Sequence, residues 1–211
     1  MHQCLIGFDT NTGEYNLNDF EKAITHKTKI VAVNYACNAI GTINPIKEIT
    51  KIAHSYGAMV FVDAVHYAPH GLIDVQNLDC DFLVTSVYKY FGPHISATYV
   101  QKEHLEKFQP YKVEPASNDA PNRWETGTPD FSAIAAIPST IKYLISLSGN
   151  TSPTRKNLEI AYQNIVEYEN ELSRYFLNKV WELKHVKVHG IKNTNDVHKR
   201  TPTFGLKVKG K

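Results

Sequence analysis

Two stretches of this chain carry residues suited to covalent chemistry, Val62-Asp63-Ala64-Val65-His66 and Ser86-Val87-Tyr88-Lys89-Tyr90. The first ends an apolar run in an acid, and the second sets a lysine just past the end of the next run. A lysine that acts as a covalent carrier must reach an electrophilic carbonyl and spend part of its time as a neutral amine, which a low-dielectric pocket favours. The aromatic neighbours Tyr88, Tyr90 and Phe91 predict such a pocket for Lys89. Asp63, read as a buried acid, needs a cationic partner to stay ionised. A protonated pyridine nitrogen would serve, and that pairing is how a pyridoxal phosphate site maintains its electron sink. Ser86, three residues before the lysine, could donate to a phosphate. A rival reading takes Asp63, His66, His70 and Asp74 as metal ligands. His66 and His70 have helical i, i+4 spacing, but Pro69 between them opposes a helix, and no H-E-x-x-H motif is present.

These residues require a sheet to bring them together. Lys29–Asn34, Met59–Val62 and Asp81–Ser86 read as buried strands, with a helix between the first two that starts at Pro45, is capped by Asn44 and ends at Gly57. Strand, helix, strand within so short a span is a βαβ unit, and near-continuous apolar strands predict a sheet covered on both faces. In a parallel sheet the carboxyl ends of neighbouring strands open onto one crevice, so Asp63 and Lys89 are expected to face it together. Ala97–Gln101 follows the lysine turn with no room for a crossover helix and is expected to run antiparallel. A short amphipathic helix is predicted over Leu17–His26, an irregular loop over Lys102–Pro129, and helices over Phe131–Leu147 and Pro153–Val180. Trp124, inside the loop, is assigned to packing. Strands at Val186–His189 and Thr203–Val208 complete the pattern. A boundary near Gly149 would separate the C-terminal portion of a large ligand-binding domain, residues 1–148, from part of a small α+β C-terminal domain, residues 149–211.

Composition limits the alternatives. With 42% apolar residues among 211, the chain can build a core, and a net charge of +2 without a basic cluster gives no sign of a nucleic-acid surface. No apolar run approaches the roughly 20 residues of a membrane span, and no leader pattern opens the chain, so no membrane partner and a cytoplasmic setting are expected. Cys4, Cys37 and Cys80 are odd in number and far apart, which fits a reducing compartment, and each is read as a small buried side chain.

Asn38-Ala39-Ile40-Gly41-Thr42, Asp63-Ala64-Val65-His66, Ser86-Val87-Tyr88-Lys89 and Gly127-Thr128-Pro129 resemble, in order, the motifs of class V aminotransferases, specifically the cysteine desulfurase-like and selenocysteine lyase branch. The resemblance implies a fold-type I, mostly parallel α/β fold with pyridoxal 5'-phosphate as cofactor and cysteine or a similar small amino acid as substrate. It implies that Lys89 holds the cofactor covalently and, once released, moves the substrate Cα proton, and that Asp63 holds the pyridine nitrogen. By the same resemblance, His66 contacts the phenolic oxygen, Asn38 that oxygen or the substrate, and Ser86 the phosphate. Thr128 would reach the phosphate of a partner subunit's cofactor, which implies a homodimer. Tyr88 departs from the histidine that desulfurases often carry before the lysine. The family's ring-stacking and phosphate-cradling turn would precede residue 1, and its substrate-carboxylate arginine and nucleophilic cysteine would follow residue 211. An internal fragment, incomplete at both ends, is therefore expected. A lyase, an aminotransferase, a kynureninase-like hydrolase and a non-catalytic remnant remain alternatives.

Overall fold

The computed structural model describes residues 2–125 and 127–210. A central sheet is built from β1 (Ile30–Asn34), β2 (Met59–Asp63), β3 (Phe82–Ser86) and β4 (Ser96–Val100), in that spatial order. β1, β2 and β3 are parallel, and β4 runs antiparallel against β3. The antiparallel return follows from the short connection between Ser86 and Ser96, which cannot complete a parallel crossover. In register, Asn34 lies opposite Asp63, and Asp63 lies opposite Val84.

Burial is one-sided along the strands, where continuous burial was expected. Val60 and Val62 are completely inaccessible while their neighbours Met59 and Phe61 are half-buried, and along β1 half-buried Val31 and Val33 alternate with exposed Ile30 and Ala32. The core gathers on the side of α2 (Ile46–Ser55), whose Ile46, Ile49 and Ala53 pack with Val60, Val62, Cys80 and Leu83. Ile46, Ile49 and Ala53 recur at three- and four-residue spacing, which places them on one helix face. Asn44 does not cap this helix. Pro45 occupies the cap position without a side-chain bond, and Asn44 instead turns back to donate to the Asn34 carbonyl oxygen at 2.8 Å.

Other boundaries shift for local reasons. The first helix, α1 (Leu17–Ala23), is capped by Asn16 and stops before Ile24, short of the expected His26. Asp74 caps a one-turn helix, α3 (Val75–Leu78), and Asp79 ends it in the left-handed region. The stretch expected to be irregular begins with α4 (Lys102–Lys107), too short for periodicity to reveal. Arg123 and Trp124 both donate to the Leu105 carbonyl, tying the loop back to α4. α5 (Phe131–Ser146) is capped by Asp130 and α6 (Arg155–Val180) by Thr154. Past α6, β5 (Val186–His189) and β6 (Gly205–Val208) form a two-stranded antiparallel sheet packed on Leu177 and Val180. No helix among the described residues is long and apolar enough to cross a membrane.

Candidate active site

Asp63 is the last residue of β2 and is exposed. The expected buried acid is thus a solvated one. Its Oδ1 accepts the Val65 N–H at 3.0 Å, which fixes the carboxylate over the turn that follows. Lys89 lies in a 3-10 turn, Val87–Tyr90, set directly after β3. It is exposed as well, its Nζ 5.4 Å from the centre of the Tyr88 ring. The aromatic neighbours that predicted an enclosed lysine point elsewhere: Tyr88 stacks on His94, Phe91 packs edge-on to Tyr143, and the Tyr90 hydroxyl meets Thr85. The turn is closed by Phe91 at φ +73°, where Gly92 approaches Val87 too closely to accept a side chain.

Asn38 lies in the turn after β1, His66 in the turn after β2, and Ser86 at the end of β3. The parallel register thus brings Asn38, Asp63, His66, Ser86 and Lys89 to the same end of three adjacent strands. Among the described residues, the side chains of Asn38, Ser86 and Lys89 make no hydrogen bond or ion pair, so their polar groups are available to a ligand. Thr128 is exposed in the loop before α5, and among the described residues its side chain makes no hydrogen bond to the five.

His66 is the electrostatic centre of the group. Burial pushes its pKa down to about 4, His70 and Lys89 add to the shift, and Asp63 opposes it. Both the lysine and the acid are therefore near enough to bear on its charge, and the ring is neutral through the physiological range. Its Nε2 lies 3.0 Å from the Thr201 hydroxyl and 3.2 Å from that of Thr203. No pattern in the sequence linked these threonines to the site, since they lie more than a hundred residues downstream in a segment with no catalytic motif. Two residues of the metal reading are engaged elsewhere. His70 pairs with Glu169 at 2.9 Å, and Asp74 is engaged with the α3 cap and Arg155. No group of metal-ligating side chains occurs among the described residues. The cysteines differ from one another: Cys80 is buried, its thiol pushed up to about 11 chiefly by burial, whereas Cys37 is half-buried and Cys4 exposed.

A mostly parallel α/β sheet with an acid and a lysine at the ends of successive strands defines the class of protein. The family model for aminotransferase class-V matches residues 8–209, and the chain belongs to that family. A probable cysteine desulfurase of Halalkalibacterium halodurans is 35% identical over 206 residues, covering 88% of this chain and 48% of that protein. A probable cysteine desulfurase of Borreliella burgdorferi is 34% identical over 193 residues, covering 84% and 42%. The apo structure of a cysteine desulfurase from Thermococcus onnurineus matches with a TM-score of 0.81 at 27% identity, over 98% of this chain and 50% of that one. The chain spans about half the length of the relatives it matches.

Proposed function

We propose that this chain carries the cofactor-holding part of a pyridoxal phosphate enzyme of the cysteine desulfurase type, acting on cysteine or a similar small amino acid. The observation that carries the reading is the convergence of Asn38, Asp63, His66, Ser86 and Lys89 on one end of the parallel strands. Their chemistry fits the cofactor. An exposed carboxylate suits a pyridinium nitrogen, an accessible amine suits an aldehyde, and a hydroxyl and an amide without protein partners suit anionic oxygens. When bound, pyridoxal phosphate supplies an aldehyde for the substrate amine and an electron-withdrawing ring that weakens the bonds at the substrate Cα.

In this reading Asp63 holds the pyridine nitrogen protonated by charge. Lys89 Nζ tethers the cofactor and afterwards carries the proton at the substrate Cα. His66, neutral, addresses the phenolic oxygen together with Asn38, and Ser86 donates to the phosphate. Thr128 is assigned to the phosphate of a second subunit, and a homodimer is part of the proposal. The chain divides at Gly149 into a cofactor-binding part, residues 1–148, and a smaller α+β part, residues 149–211.

The test is uptake of pyridoxal phosphate by the purified 211-residue chain, followed by its visible absorbance band and by mass spectrometry after borohydride reduction. The expected result is one covalent adduct on Lys89 and loss of the band in Lys89→Ala. No uptake, or equal uptake by the alanine variant, would overturn the reading. Cysteine turnover by the loaded chain, read as alanine and sulfide, then tests the substrate assignment.

A further inference from the structure

Arg200 is 4% exposed and has no carboxylate partner among the described residues. Backbone oxygens surround its guanidinium instead. It donates to the carbonyls of Ile191, Ile40, Thr201 and Thr203, with the Phe204 ring 3.9 Å away. These bonds tie the segment before β6 to the turn that bears Asn38. The junction is closed further by Thr201 N–H to the Gly41 carbonyl at 2.8 Å and Ile43 N–H to the Lys199 carbonyl at 3.0 Å. Gly41, at φ +79°, leaves no room for a Cβ against the Thr201 and Thr203 carbonyls.

The clamped segment presents two hydroxyls to a single ring nitrogen. Thr201 Oγ1 lies 3.0 Å from His66 Nε2 and 3.4 Å from the Gly41 carbonyl oxygen, which already accepts the Thr201 N–H. The contact with the Gly41 carbonyl is 0.4 Å longer than that with Nε2, so the hydroxyl proton is assigned to Nε2, which is then the bare nitrogen of a neutral imidazole. The ring proton is left on Nδ1, which has no hydrogen-bond partner among the described residues. This is the less common tautomer of a free histidine, so something must select it.

We infer that Thr201 and Thr203 are positioning residues, which hold His66 as the Nδ1–H tautomer and so turn a donor toward an anionic oxygen of the ligand in the Asp63–Lys89 crevice. The inference rests on the proposed cofactor reading for the identity of that oxygen, the cofactor's phenolic oxygen. The tautomer itself depends on the protein alone. His70, Lys89 and Asp63 are the titratable groups that bear on the ring, and none of them supplies a partner for Nε2.

Long-range nitrogen–proton correlation spectra of the isotope-labelled chain without cofactor report the tautomer directly, with His66→Gln identifying the resonance among ten histidines. The expected result is a protonated Nδ1 in the unsubstituted chain. A shift toward Nε2–H is expected in Thr201→Val/Thr203→Val, with Thr201→Ser retaining the original pattern. Nε2–H in the unsubstituted chain, or an unchanged Nδ1–H signal in a folded double-valine variant, would overturn the inference. If the double variant does not fold, the unsubstituted spectrum still decides. A correct tautomer in a chain that takes up no pyridoxal phosphate would leave the positioning role standing and remove the cofactor reading. In a chain that does take it up, the double variant is expected to bind about tenfold more weakly, the worth of one good hydrogen bond.

Discussion

His66 shows how one side chain connects stability to the site. Its pKa is about 4 in the folded protein, below the 6.5 of an unperturbed histidine. Above pH 6.5 the ring is neutral in both folded and unfolded chains and adds no pH dependence. As pH falls from 6.5 to 4 the unfolded chain takes up a proton that the folded one does not, so stability is lost across that window and the loss levels off below it. Discounted for the ring's partial access to water, the loss amounts to about 2 kcal/mol. Urea denaturation at pH 7 and pH 4.5 should show it, and His66→Gln should remove this portion of the difference. Asp81 contributes in the same direction further down, because its folded pKa is lowered. Burial works against that shift, but bonds from His54, the Val60 N–H and His104 outweigh it. Its stabilisation is present above the ordinary carboxylate range and is lost as pH falls through the lower folded value.

Those bonds matter to the elements they join. Asp81, 5% exposed at the start of β3, accepts from the Val60 N–H of β2 at 2.7 Å, from His54 of α2 at 2.9 Å and from His104 of α4 at 2.5 Å. One carboxylate thus fixes a strand and two helices at the end of the sheet opposite the crevice. Asp81→Asn keeps the shape but replaces one accepting oxygen with a donor, leaving the Val60 N–H or a histidine without a partner in a buried place. A loss of about 2–4 kcal/mol is expected in chemical denaturation. Lys89 reactivity toward pyridoxal phosphate should change little, since the crevice lies at the far ends of the strands.

Across the whole molecule, Arg200 joins parts that are distant in the chain. Its guanidinium reaches Ile40 from a position one hundred and sixty residues later and binds Ile191 and Thr203 on either side of itself. Burial lowers its pKa to about 10, and it remains charged at neutral pH. Arg200→Lys retains the charge but offers fewer, non-planar donors to the carbonyls it must bridge. A destabilisation of about 3 kcal/mol is expected from the unpartnered carbonyls, measurable as a lowered denaturation midpoint. Gly41→Ala attacks the same junction from the other side. Both a strained φ and a Cβ 2.6 Å from the Thr203 carbonyl predict a cost of about 1–3 kcal/mol or more.

The parallel core, its antiparallel last strand, the two long helices and the end of the sheet to which the candidate residues come can all be read from the order of residues. Apolar periodicity, caps and strand-end polar residues are local signals, and local spacing is what dictates them. The one-turn helices α3 and α4 were hidden because four to six residues hold too little periodicity to distinguish helix from loop. The site divides along the same line. Of the candidate residues, Asp63, Ser86 and Lys89 could be named because each sits at or just past a strand end, whereas Asn38 and His66 were named through the motifs that resemble class V aminotransferases. Solvent exposure of Asp63 and Lys89 could not, since it depends on which segments pack over the crevice, and the flanking aromatic rings find partners in His94, Tyr143 and Thr85. The Arg200 clamp and the threonines on His66 were beyond reach for a related reason. They are contacts between segments far apart in sequence, set by how the β5–β6 unit docks against the turn after β1, and no spacing rule along a chain encodes such a meeting.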